Sequence, residues 1–161
     1  MTYGSAYLSG KEWTDTVTLA PGLVVQNQSI GVSSSAVDLS GMDGILGLGP
    51  VDLTNETVSN TGTVPTVPDN LLSQGKISEE VIGIYYVPFS EPVNNGTLTF
   101  GGCDESSITS SVEYVPLTTK SPASSYWGID QSIHYGNTTI LSKTAGVVDT
   151  GTTLILIASG G

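Results

Sequence analysis

Residues 147–153 read Val-Val-Asp-Thr-Gly-Thr-Thr, a single carboxylate on a short Gly-containing turn between two apolar runs. An aspartate so placed can accept or release a proton, and glycine lets the backbone turn closely beside it. The hydroxyls of Thr150 and Thr152 can hydrogen-bond locally and lock the loop. Asp and Gly are also ordinary turn residues, so three letters carry little alone. The flanks add weight. Residues 145–148 and 154–157 are apolar and are expected to be buried strands carrying the carboxylate to the floor of a cleft. A single positioned carboxylate can act as a general acid or a general base.

Other chemistries fit less well. A serine hydrolase needs a nucleophile elbow and a base, yet His134 is the single histidine and no G-x-S-x-G accompanies it. His134 therefore reads as an exposed strand residue. Cys103 is the single cysteine, which allows neither an internal disulfide nor a Cys-based zinc site. It reads as a buried or incidental thiol. Asp43, before Gly44, reads as a structural turn residue.

The elements that must position Asp149 are mostly strands. "DTVTLAPGLVVQNQSIGV" alternates apolar and polar residues around Pro21-Gly22, as expected of half-buried strands. "VIGIYYVPF" and "GTLTFGG" continue the pattern around Asn94-Asn95-Gly96, followed by "SVEYVPLT", "YWGIDQSIHYG" and "TTILSKTAGVVDTG". One stretch, "PDNLLSQGKISEE", reads as helical, with Asp69 as N-cap, Leu71 and Leu72 as the apolar face and Gly75 as terminator. A second helical turn is expected from Ser78. "DLTNETVSNTGTVPTVP" reads as a polar surface loop. The fold class is all-β with one or two short helices.

Composition sets the setting for that chemistry. The 161 residues are enough for a substantial core. Fifteen acids against four lysines give a net charge of -11. Such a surface excludes nucleic acid as a partner, because phosphates need cationic neutralisation. It suits work in acid, where protonation relieves self-repulsion. No stretch approaches the length needed to cross a bilayer, so no membrane partner is expected. The first residues lack the pattern of a signal peptide. Four sequons, at Asn27, Asn55, Asn95 and Asn137, give mild support for secretion.

Taken in order, the motifs resemble those of the pepsin-like aspartic proteases. "TYGSAYLSG" resembles the flap hairpin, "GMDGILGLG" the hydrophobic-hydrophobic-glycine motif, and "GVVDTGTTL" the second active-site motif. "PDNLLSQGKISEE" and "TLTFGGCDESSITSSVEYVPLT" are similar to the family's helix and its crossing into the second lobe, and "YWGIDQSIHYG" to the strand that opens it. The likeness covers essentially the whole chain, and "SPASSYWGIDQSI" with "KTAGVVDTGTTLILIAS" brings it nearest to the fungal, polyporopepsin-like branch.

The resemblance implies an incomplete bilobal acid-protease fold, with residues 1–105 in the first lobe and 106–161 forming the interlobe strand and the start of the second. Asp149 is similar to the second-lobe catalytic aspartate, with Thr150, Gly151 and Thr152 supporting its loop. Tyr3 resembles the flap tyrosine, with Gly4 and Ser5 beside it as contacts to bound peptide. Ile45 resembles a wall of the main specificity pocket, and Tyr126 its opposite side. The implied activity is endopeptidase cleavage at acid pH, with peptide or protein substrates, a pepstatin-type inhibitor as ligand, and neither metal nor cofactor. The implied location is extracellular or vacuolar.

In one respect the chain departs from that pattern. Asp-Thr-Gly occurs once, and "TDTVTL" supplies Asp15-Thr16 without a glycine. In the family the first-lobe aspartate lies upstream of the flap, and each Asp-Thr-Gly loop packs on its own lobe's apolar-glycine segment. The expectation is a truncated piece, missing N-terminal and C-terminal segments of a parent enzyme and inactive alone. A non-catalytic peptide-binding or inhibitor protein on the same scaffold is the alternative.

Overall fold

The computed structural model describes residues 2–3 by their backbone, and 6–39, 41–88, 90 and 95–158. The chain forms two compact units, residues 1–112 and 113–161.

The first unit begins with strand β1 (Thr2–Tyr3), followed by the long strands β2 (Ala6–Ala20) and β3 (Leu23–Val37) in an antiparallel sheet ordered β1-β2-β3. The β2–β3 turn falls at Pro21-Gly22, with Ala20 opposite Leu23 and Gly22 at φ 82. Glycine meets that positive φ without steric cost. The register slips at three places, one of them between Asp15 and Val17, where Asn27 takes φ 52. Most of β2 and β3 is exposed, so the expected half-buried character is confined to the part around Val25 and Gln28. Helix α1 (Val67–Ser73) makes the difference by packing there.

Helix α1 starts earlier than the sequence suggests. Thr66 is the N-cap, its hydroxyl accepts from the Asp69 N–H at 3.4 Å, and the Asp69 carboxylate accepts from the Thr66 N–H at 2.7 Å. This is a capping box with Asp69 in the third helical position and Pro68 in the first turn. Asp69 therefore supports the cap and is not itself the N-cap. The C-terminus closes with Lys76 N–H to Leu71 C=O at 2.8 Å and Gly75 N–H to Leu72 C=O at 2.9 Å, Gly75 standing at φ 64. That double closure is the Schellman arrangement. Leu71 is fully buried, whereas Leu72 is 38% exposed and is not part of the apolar face. Ser78 and Glu79 form bends and Glu80 is irregular, without a helical turn.

The core of this unit is small. Val25, Val67 and Leu71 are buried together, with Val17, Leu19, Leu23, Ile77 and Phe100 packed partly against them. Gln28 is buried beside it, accepting from Asn70 at 2.9 Å and donating to the Pro65 carbonyl at 3.2 Å. Gln74 binds the Gln26 backbone on both sides, accepting its N–H at 3.0 Å and donating to its carbonyl at 2.8 Å. These amides fasten α1 to β3 without leaving polar groups unsatisfied. The loop before α1 contains a 3-10 turn, Val51–Thr54, and its last residues, Val67 and Pro68, are buried in the helix. Thr54 ties it across to Val64, donating to the Val64 carbonyl at 3.0 Å and accepting its N–H at 2.7 Å.

Strands β4 (Ile82–Tyr86) and β5 (Gly96–Phe100) pair antiparallel, Tyr86 opposite Gly96. Of the expected turn, Asn95 and Gly96 are described, with Val87 N–H bonding the Asn95 carbonyl at 3.0 Å, while Asn94 lies outside the described residues. Cys103 is exposed, contrary to a buried thiol.

The second unit is a hairpin of β6 (Gly128–Tyr135) and β7 (Thr138–Val147), preceded by an irregular segment. "SVEYVPLT" forms no strand; only Leu117 makes an isolated bridge, to Ile129. Tyr114 and Val115 are 86% and 62% exposed, and Pro116 has no N–H to give a ladder. Thr118 clamps the segment to the hairpin. Its N–H bonds the Gly128 carbonyl at 2.8 Å and its hydroxyl donates to Asp130 at 2.7 Å, with Lys120 3.5 Å from the same carboxylate. A side chain at Gly128 would lie 2.3 Å from the Ala123 carbonyl, so the close approach requires glycine.

Candidate active site

Strand β7 delivers the chain to Asp149. Beyond its last paired residue, Val148 N–H bonds the Trp127 carbonyl at 2.9 Å and extends the β6–β7 ladder one step toward the carboxylate. The backbone then turns at Thr150-Gly151. The Gly151 N–H donates to Asp149 Oδ1 at 2.8 Å, a side-chain-to-backbone closure two residues on. The Thr152 hydroxyl donates to Asp149 Oδ2 at 2.6 Å. Each carboxylate oxygen thus has a donor from its own loop.

Those donors fix the electrostatics. The Thr152 hydroxyl, followed by the Gly151 N–H, holds Asp149 below the ordinary carboxylate value of 3.8, with slight burial opposing them. Hydrogen bonds to the charged form favour it, so the arrangement preorganises an ionised aspartate. A Cβ at Gly151 would lie 3.2 Å from Asp149 Oδ1, a tight contact that would press on the carboxylate. Such a carboxylate can accept a proton from water. A protonated partner is needed to donate to a carbonyl oxygen.

The flanks differ from expectation. β7 precedes the aspartate as read, but residues 154–157 are not a strand and are not buried. Leu154, Ile155 and Leu156 are 70%, 88% and 79% exposed, and Val148 is 54% exposed. No described strand pairs with them, so the apolar run stays in water. Asp149 is accordingly on an exposed turn, not a buried one.

The other residues singled out by sequence divide between the units. Tyr126, 42% exposed, stands beside Trp127 and gives its carbonyl to the Gly128 N–H at 2.7 Å. The Val148–Trp127 bond therefore brings the Tyr126 backbone close to the Asp149 loop. In the first unit, Ile45 lies in an irregular stretch and is 43% exposed. Tyr3 pairs with Ala6 in the β1–β2 ladder, while Gly4 and Ser5 lie outside the described residues. Asp43 sits in an exposed bend. Sequence reading passed over Trp127, whose carbonyl anchors the strand into the site. The available signal was Gly128, a glycine inside an alternating strand pattern.

His134 is exposed at the hairpin, its ring nitrogens 3.2 Å from the Ser132 and Thr139 hydroxyls. Among the described residues no group of His, Cys, Asp and Glu has the geometry of a metal site.

Comparison with known proteins places this geometry. The family model for eukaryotic aspartyl proteases matches residues 1–160. Polyporopepsin of Irpex lacteus is 56% identical over 99% of this chain and 48% of its own length. Rhizopuspepsin-1 of Rhizopus niveus is 35% identical over 98% of this chain and 39% of its own length. The crystal structure of the Irpex lacteus aspartic proteinase superposes with a TM-score of 0.93 at 55% identity, covering 99% of this chain and 48% of that one. The chain spans about half or less of the length of these relatives, and its β-rich architecture is pepsin-like. With the ordered motifs, the Asp149 loop and these matches together, the chain belongs to the eukaryotic aspartyl protease family.

Proposed function

We propose that Asp149 is one member of an aspartate pair that hydrolyses peptide bonds in acid. The observation carrying this reading is the loop itself, where Gly151 and Thr152 each supply a donor to one carboxylate oxygen. In such a pair two neighbouring like charges cannot both ionise, so one proton is shared. Asp149, favoured as the ionised form, takes the proton from water. The water attacks the scissile carbonyl while the protonated partner donates to its oxygen. The tetrahedral intermediate then collapses as the amine leaves with a proton. No covalent enzyme intermediate forms.

The second carboxylate is assigned to the part of the parent that this chain does not span. Asp-Thr-Gly occurs once here, and the chain covers 48% of polyporopepsin. The 161-residue polypeptide alone is therefore inactive, and activity belongs to the parent enzyme with its further N-terminal and C-terminal segments. In that enzyme Tyr3, Gly4 and Ser5 close over bound peptide, and Ile45 and Tyr126 line a pocket for bulky apolar side chains. The parent works outside the cell or in a vacuole, a reading that the net charge of -11 on these 161 residues supports.

The test is cleavage of a denatured protein at about pH 4, where one carboxylate of a shared-proton pair is ionised and the other protonated. The purified chain is compared with Asp149→Ala and with a pepstatin-type inhibitor present. Activity no higher than the variant's agrees with a half-site. Inhibitor-sensitive cleavage that disappears in Asp149→Ala would overturn it, since the chain would then assemble a second carboxylate of its own.

A further inference from the structure

The four Asn-X-Ser/Thr sequons differ in what the folded chain asks of them. At Asn27 the middle residue, Gln28, is buried and holds Asn70 and the Pro65 carbonyl. At Asn55 the Thr57 hydroxyl donates to the Thr54 carbonyl at 2.6 Å. At Asn95 the side-chain oxygen accepts the Gly96 N–H at 2.8 Å. Asn137 stands at the tip of the β6–β7 hairpin, where Tyr135 opposite Thr138 leaves a two-residue turn. Gly136 at φ 56 takes the first central position, the pattern of a type II′ turn. Asn137, Thr138 and Thr139 are all exposed; the Thr139 hydroxyl lies 3.2 Å from His134 Nδ1, an exposed pair, and the Asn137 side-chain amide makes no hydrogen bond among the described residues.

We infer that Asn137 is an N-glycosylation acceptor, an assignment that rests on the reading of the parent as a secreted or vacuolar enzyme. The donor is a lipid-pyrophosphate-linked oligosaccharide. The Asn137 amide nitrogen forms a bond to the anomeric carbon, the bond from that carbon to the pyrophosphate oxygen breaks, and the lipid pyrophosphate leaves. One amide proton passes to a base on the transferase. The tip suits a bulky polar group because no packed side chain has to move to admit it. It also keeps the glycan clear of the candidate site. Asp149 follows the opposite end of the hairpin, and the eight residues of β6 at about 3.3 Å each separate the two by roughly 26 Å.

The chain is expressed behind an added secretion leader in a eukaryotic host, with an efficient sequon appended at the C-terminus as an internal control. Release by a peptide-N-glycosidase in heavy-oxygen water hydrolyses the side-chain amide of each occupied asparagine to labelled aspartate, with the glycan leaving as its glycosylamine, and peptide mass spectrometry then locates the label. Label is expected at Asn137, with loss of one glycan in Asn137→Gln and Thr139→Ala and retention in Thr139→Ser. An unlabelled Asn137 in molecules whose control sequon is labelled would overturn the assignment. The same mapping on the parent from its native source separates the two readings. Label from the leader-driven chain but none from native material would leave the acceptor assignment standing and overturn the secreted location.

Discussion

Asp149 is held by a hydroxyl and an N–H within three residues of itself, so its protonation is set by the loop. Thr152 supplies the largest effect, and Thr152→Ala is expected to raise the Asp149 pKa toward the ordinary value, with Thr152→Ser restoring the depression. Carboxyl-resolved NMR titration measures this directly; an unmoved Asp149 would mean the hydroxyl is not its donor. Gly151→Ala is expected to act in the same direction by crowding Oδ1. The sign for stability follows from linkage. A depressed carboxylate contributes stability that is present above its unfolded pKa and is lost as pH falls through the lower folded value. For Asp149 that loss begins near 3.8 and continues below it.

At the scale of the element, α1 depends on its ends more than on its seven residues, since so short a helix has little intrinsic stability. Thr66→Ala removes the hydroxyl of the capping box and is expected to cost about 1 kcal/mol, read by denaturant melting of the first unit. Glu80 adds a pH dependence of the opposite sign to that of Asp149. Burial, then the nearby Asp69 charge and a hydrogen bond with Asp69, raise it above 4.5. A raised carboxyl contributes stability that is full below its unfolded pKa and fades as pH rises through the folded one. Glu80→Gln is expected to flatten the pH-stability curve from about 4.5 upward, because an amide can donate to Asp69 without titrating. An unchanged curve would show that the pair does not form in solution.

Across the whole molecule the prominent feature is apolar surface in water. Length alone led to the expectation of a substantial core, yet the buried apolar side chains among the described residues are Ala6, Val25, Val67, Leu71, Ala123 and Leu141. The second unit rests on one hairpin, and two strands alone are marginal in water. Residues 154–157, Leu-Ile-Leu-Ile, combine high β-propensity with no charge and high exposure, the signature of a self-pairing segment. Leu156→Lys is expected to lower aggregation of the 161-residue chain, measured by light scattering against time, while an equivalent change at the already polar Thr138 leaves it unaltered.

The sequence by itself determined the strand-rich class, the neighbourhood of α1, the Pro21-Gly22 turn and the tight turn after Asp149. These rest on local rules: alternation, capping residues, and glycine where φ is positive or space is short. The family likeness was legible for the same reason, because its motifs are short contiguous strings. Tertiary structure decided what local pattern could not. Leu72 and residues 154–157 are apolar in sequence and exposed in space, since burial depends on whether another element covers them. "SVEYVPLT" alternates like a strand but finds one bridge, because a strand exists only with a partner's hydrogen bonds. Trp127 was silent in sequence for that reason too: its part in the site is a backbone carbonyl, which every residue possesses and only pairing selects.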